Sequence, residues 1–401
     1  MTDEPTSKRR RRLLGTIAGV GLVGVAGCSG GSDDNGTEST ADGTDAGTDT
    51  PGEGGSGVDT SGSAEFSEFR GSGALAEGRT EIGGTRIEEL PALSGELTVY
   101  LGGGEGGLYR DLIGKLENIY PDFSATPRAY GTSEAANTLI TEGASTPADV
   151  FWSVDAGSLA AVAAEDLTAT LADEVVDPVP EEFHPDSAWV GTAGRARAIP
   201  YNTEALDESD VPDSVMDLPD SGIAGQMGWA PTYGAFQAFI TAMRITEGEE
   251  ATRNWLQSMV DAGTTEYGNE FFVSNAVADG ELQAGFANHY YALRVQEARP
   301  DAPIDLAFTS GDAGALINVA GAAVLEASPQ QELAMNFVRH LLSAEAQEFF
   351  ATRAYAYPMI PGVPPVGGLP RIDELNPPEF DLARLSEIGP TVDLMREVGV
   401  L

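Results

Sequence analysis

From Glu96 onward, short apolar runs alternate with stretches in which apolar side chains recur every three or four positions. A run of four to eight apolar residues reads as a buried strand, and the longer period reads as one face of a helix. The pattern predicts strands at 97–101, 124–130, 150–152, 196–201, 282–286, 304–308 and 320–325. It predicts helices at 108–119, 133–142, 157–164, 235–246, 249–262, 272–278, 331–342 and 344–352, and one beginning near His289. Strand and helix in alternation point to an α/β fold with a largely parallel sheet. Residues 357–370, rich in proline and glycine, are expected to cross the surface as irregular chain. In such folds ligands gather where a strand ends and a helix begins, and Asn288-His289-Tyr290-Tyr291 stands at such a junction.

Before Glu96 the pattern disappears. Four arginines, Arg9 to Arg12, precede an apolar run from Leu13 to Ala26 that is too short to span a bilayer. Residues 1–27 therefore read as an export signal, and the arginine run suits the twin-arginine type. Val25-Ala26-Gly27-Cys28 matches a lipobox, which would place a lipid on Cys28. The other reading is an ordinary signal that contains a cysteine. Residues 28–62 are Gly, Ser, Thr and Asp without aliphatic periodicity, the composition of a flexible acidic tether. Residues 63–95, with Phe66, Phe69, Ile82 and Leu90, read as an irregular extension packed loosely on the body.

Charge narrows the function. The 401 residues carry 22 Lys and Arg against 63 Asp and Glu, a net charge of −41, and lysine occurs only at Lys8 and Lys115. Removing residues 1–27 takes away five basic and two acidic groups, leaving 17 minus 61, or −44. Acidic excess with ordinary apolar content suits a protein kept soluble in concentrated salt, where repulsion is screened within a few ångströms. It also argues against a nucleic-acid partner, which needs a basic footprint. With Cys28 as the one cysteine, no intrachain disulfide can form.

Polar clusters fall at several strand ends. Gly102 to Gly107 contains Glu105 in a glycine run. It lacks dinucleotide spacing, so it is either a plain tight turn or a backbone-exposing loop whose Glu105 reaches a ligand. Arg195 and Arg197 stand two apart, and guanidinium forks grip carboxylate, carbonate or phosphate; each could equally serve a structural ion pair. Pro231-Thr232-Tyr233-Gly234-Ala235 opens a helix, whose free N–H groups suit an anion. With 11 tyrosines in the chain, roughly 0.3 adjacent pairs arise by chance, so Tyr290-Tyr291 alone is no signature. His289 is expected to cap and pack. No G-x-S-x-G or H-E-x-x-H occurs, and His184, His289 and His340 stand in unlike contexts.

Taken in order, Leu97-Thr-Val-Tyr, Ser145-Thr-Pro-Ala-Asp-Val-Phe151, Gly194-Arg-Ala-Arg197, Pro231-Thr-Tyr-Gly-Ala-Phe236, Asn288-His-Tyr-Tyr291, Asp312-Ala-Gly-Ala-Leu316 and Gly321-Ala-Ala-Val-Leu325 resemble the ferric-ion-binding proteins of ABC importers. These are the transferrin-like group of the family 1 extracellular solute-binding proteins. The resemblance spans residues 96–401. It implies a type II periplasmic-binding-protein-like fold of two lobes, each a mixed sheet flanked by helices, with hinge strands between. By position, lobe one would be 96–196 with 321–371, and lobe two 197–320, with 372–401 packed on it.

The resemblance implies that Tyr290 and Tyr291 ligate Fe3+. It implies that Arg195, Thr232, Gly234, Ala235 and Asn288 hold a synergistic carbonate or phosphate, and Arg197 is added as a neighbouring anion contact. The chemistry agrees, because phenolate is a strong hard-oxygen donor for a trivalent ion. Two lobe-one ligands of well-known members are replaced, by Gly104 and Val154. Glu105 and Asp155 are the nearest substitutes, and Tyr233 offers a third phenolate. The expected protein is a monomeric, lipid-anchored receptor on the outer face of the cell membrane. It would deliver iron, free or as a small chelate, to an ABC permease and its ATPase, without catalysis or an organic cofactor. The alternatives are a receptor of this class for another anionic small molecule, a secreted enzyme using Glu105 and Asp155 as acid and base, and a purely structural surface protein.

Overall fold

The computed structural model describes residues 66–79, 82–103 and 107–401. The export signal, Cys28, the tether and Glu105 lie outside the described residues. Among the described residues ten strands form the sheet system: β1 Gly95–Gly102, β2 Phe123–Tyr130, β3 Val150–Ser153, β4 Val190–Asn202, β5 Met227–Trp229, β6 Thr265–Glu266, β7 Ala284–Gly285, β8 Ala287–Asn288, β9 Ile304–Ala307 and β10 Ile317–Val324. Their order is β2-β1-β3-β10-β4-β7-β5-β6, with β8 and β9 also pairing with β4.

The expectation of a largely parallel sheet is corrected. Only β1 with β2 and β3, and β5 with β6 and β7, are parallel. Every pairing of β4 is antiparallel, and β10 also runs against β3. The cause is β4 itself. Its first half pairs with β10, Arg195 opposite Asn318. Its second half pairs with β9 and, through Arg197 opposite Asn288, with β8. One 13-residue strand thus belongs to both halves of the protein. Two mixed sheets flanked by helices and joined by a crossing strand make the two-lobe, type II arrangement.

Each sheet carries an aromatic core. Tyr109 stacks on Trp152 at 3.8 Å between ring centres, with Phe337 and Phe350 edge-on to Trp152. On the other side Trp229, Phe236, Phe239, Trp255 and Phe286 interlock. The bend in β10 falls between Ala320 and Gly321. A Cβ on Gly321 would lie 2.6 Å from the Val190 carbonyl oxygen and 2.8 Å from Leu159, so only glycine lets the two strands and the helix Ala156–Ala163 approach this closely.

Residues 66–79 and 82–94 are not loosely attached. Phe69, Ile87 and Leu93 are buried. Arg70 and Arg79 both reach Glu348, at 2.6 and 2.7 Å, and Arg86 reaches Glu345 at 2.6 Å. Arg353 returns hydrogen bonds to the carbonyls of Glu68, Phe69 and Arg70. The segment lacks periodicity because it is held by single apolar anchors and by charge pairs on buried carboxylates. At the other end, the helix Ile388–Val398 packs on Gly234–Thr246 and Glu249–Ala262, and the turn Leu382–Ser386 packs on Ala156–Ala163.

Candidate metal centre

Four strand ends feed helices that open onto one cleft of about 430 Å³. β2 leads to Thr132–Glu142, β3 to Ala156–Ala163, β5 to Gly234–Thr246 and β8 to His289–Ala298. Thr132, Ser133, Asp155, Ser158, Gly234 and Ala235 line it from helix N-termini, with Arg195, Arg197, Asn288, Tyr233 and Tyr290 on its remaining walls. Backbone N–H groups at helix starts favour negative charge. The cleft is thus suited to an anion on several sides, with phenols on one.

The phenols form a cluster. Tyr290 and Tyr291 are buried in the first turn of His289–Ala298, with ring centres 4.4 Å apart. The Tyr291 and Tyr233 hydroxyls lie 2.5 Å apart. Tyr233 comes from the loop before Gly234–Thr246, 58 residues away in sequence. The Arg294 guanidinium sits 4.9 Å from the Tyr290 ring centre and 5.5 Å from that of Tyr291. Burial pushes the Tyr291 phenol well above its usual range, and the neighbouring Tyr290 and Tyr233 push it further. Crowded phenols cannot ionise together unless strong positive charge arrives among them. A multivalent cation supplies that charge, and it drives deprotonation of its own ligands. Among the described residues no three His, Cys, Asp or Glu side chains come together. The oxygen donors gathered here are the phenols of Tyr233, Tyr290 and Tyr291.

The remaining sequence candidates divide. Asp155 lines the cleft but caps a helix, accepting from the Ser158 N–H at 2.8 Å and facing Asn318 Nδ2 at 3.4 Å. Thr232 is exposed and does not line the cleft, whereas Gly234 and Ala235 do. Arg197 is buried and bound through Nη1 to Glu270 at 2.5 Å, leaving its buried Nη2 without a hydrogen-bond partner. Asn288 places Nδ2 at 3.4 Å from the Tyr290 hydroxyl. Glu105 is outside the described residues. His289 is completely buried. Its Nε2 donates to the Tyr355 carbonyl at 2.8 Å, while Nδ1 accepts from the Ala196 N–H at 3.2 Å. Burial lowers its pKa to about 4. Both ring nitrogens are used by backbone groups, so it packs as expected, but it does not cap: the N-cap position is Asn288.

Sequence reasoning missed Glu270, Arg294 and Asn318. Glu270 stands 73 residues from Arg197 with no local motif. Arg294 carried a signal that could have been used, lying four and three residues beyond the tyrosine pair on one helix face.

The chain matches the family described as bacterial extracellular solute-binding protein over residues 120–372. It is 31% identical over 281 residues to the Fe(3+)-binding periplasmic protein of Serratia marcescens, covering 69% of this chain and 82% of that one. With iron uptake protein A2 of Synechocystis it shares 32% identity over 280 residues, 66% of this chain and 81% of that one. Its fold matches the crystal structure of iron-bound HitA from Pseudomonas aeruginosa with a TM-score of 0.68 at 31% identity, over 76% of this chain and 99% of that chain. Cleft, crossing strand and sequence agree: the chain belongs to the bacterial extracellular solute-binding proteins, among members named for ferric iron.

Proposed function

We propose that this protein is the receptor of an ABC importer for ferric iron, with Tyr290, Tyr291 and Tyr233 as the phenolate ligands. The observation that carries this reading is a phenol cluster in which Tyr290 and Tyr233 line a cleft edged by helix N-termini and Tyr291 meets the Tyr233 hydroxyl from just beside it. Its iron-named relatives support it. Gly234, Ala235, Arg195 and the open Nη2 of Arg197 would take the accompanying anion, carbonate or phosphate, or the carboxylates of a small chelate. Asp155 would contribute at most its second oxygen, since capping holds the first. Closure of the two lobes about β4 would trap the cargo by a shift in population. The lobes would be 96–196 with 321–371, and 197–320, with 372–401 shared: its helix Ile388–Val398 packs on the second lobe and its turn Leu382–Ser386 on the first. A lipid on Cys28 and the acidic tether would hold the monomer outside the cell membrane, where the closed form meets permease and ATPase. The protein binds and releases; it does not turn over.

Adding ferric citrate to the protein in concentrated salt should give a tyrosinate-to-iron charge-transfer colour and raise the melting temperature. Tyr290→Phe and Tyr291→Phe should each abolish most of the colour and weaken binding by ~100-fold or more, equivalent to at least ~2.7 kcal/mol. Tyr233→Phe should weaken it less. A second reading, an anion receptor without iron, is favoured by the orphaned Arg197 Nη2. Stabilisation by citrate alone, with no colour on adding iron, would select it.

A further inference from the structure

Glu270 is completely buried, and both its oxygens are committed to the strand pair beside the phenols. Oε1 accepts from Arg197 Nη1 at 2.5 Å. Oε2 accepts from the Asn288 backbone N–H at 2.9 Å. Arg197 and Asn288 face each other across β4 and β8, and Nη1 donates a second time, to Asn288 Oδ1 at 3.3 Å. This last contact decides how the amide is turned. A guanidinium has five donors and no acceptor, so it must be met by the amide oxygen. The amide nitrogen is then left on the other side, where it lies 3.4 Å from the Tyr290 hydroxyl. Without Glu270, Arg197 would be a buried cation with no anion, free to swing toward the nearest oxygen, and nothing would fix the amide.

We propose that Glu270 is a positioning residue of the iron site: it pins Arg197, and through Arg197 the Asn288 amide, so that a hydrogen-bond donor is held against the Tyr290 oxygen. The inference rests on the reading of Tyr290 as an iron ligand. It gives Asn288 a different duty from the anion contact expected from sequence. A hydrogen bond to a phenolate oxygen stabilises the anion against reprotonation, and so against loss of the metal, while lowering the energy of its electrons. Losing that bond should move the charge-transfer band to longer wavelength. The pair also explains a fully buried charge at the site, since an ion pair of this kind organises more than it stabilises.

The test compares wild type with Glu270→Gln, Asn288→Ala and the double variant, each loaded with ferric citrate in concentrated salt. Glu270→Gln should shift the band to longer wavelength and speed iron loss to excess EDTA by about tenfold, the scale of one lost hydrogen bond. Asn288→Ala, which leaves the Glu270–Arg197 pair intact, should shift the band by the same amount. The double variant should add nothing, because the two act in series. An unmoved band in Asn288→Ala, or additive shifts, overturns the proposal even if Glu270→Gln fails to fold. A metal-free measurement separates this from the iron reading. Amide hydrogen exchange at the segment containing Asn288 should quicken in iron-free Glu270→Gln while distant core segments stay protected. Unchanged exchange overturns the positioning role. Absence of colour in wild type overturns the iron reading alone.

Discussion

At the scale of single residues, buried histidines make stability depend on pH in a direction that can be worked out. His340 donates from Nδ1 to the Asn336 carbonyl at 2.7 Å and accepts at Nε2 from the Tyr120 hydroxyl at 3.0 Å. Burial lowers its pKa to about 4, from ~6.5 in the unfolded chain. Its neutral form belongs to the fold, so its contribution is complete above pH ~6.5 and is lost as pH falls toward 4, up to about 3 kcal/mol. Protonation of carboxylates acts oppositely in a chain this acidic, by relieving repulsion. His340→Gln should therefore make urea stability fall less between pH 7 and 4 than in wild type, measured in the same salt. At this scale the sequence was legible where chemistry is local: Tyr290, Tyr233 and Arg195 line one cleft, while Tyr291 meets the Tyr233 hydroxyl from a neighbouring pocket it shares with Arg294. It was illegible where a partner is remote, as Glu270 is from Arg197.

At the scale of elements, the clamp on residues 66–94 gives the sharpest expectation. Glu348 is completely buried and receives both Arg70 and Arg79. Glu348→Gln would leave two guanidinium groups without their anion and should lower stability by about 3 kcal/mol, read from urea unfolding. Gly321→Ala should cost about 2 kcal/mol by forcing β10 from the Val190 carbonyl. Elements with a clean period were readable: 108–119 and 249–262 are helices with the bounds expected. β4 was seen only from 196, because its first half is built of small residues covered on both faces and shows no alternation. The expected strand at 282–286 shrinks to β7 at Ala284–Gly285, against β5 and β4, and a second short strand not expected, β8 at Ala287–Asn288, pairs with β4 alone. Pairing with different partners is a tertiary fact that no local pattern records.

At the scale of the whole molecule, charge sets the working conditions. A net charge of −41 repels itself over ~10 Å at 0.1 M salt and over only ~3 Å at 1 M. The melting temperature should rise steeply with sodium chloride and continue rising toward molar concentrations; a flat curve would mean the acidity is not an adaptation to salt. The clamp on the N-terminal segment has a temporal consequence as well. Arg70 and Arg79 meet Glu348 across 278 and 269 residues of chain. A chain emerging from the ribosome therefore completes nearly its whole length before this segment can dock, and such long closures form late and slowly. The first of the described residues to be made, 66–79, therefore complete these contacts only after the chain around Glu348 has been made.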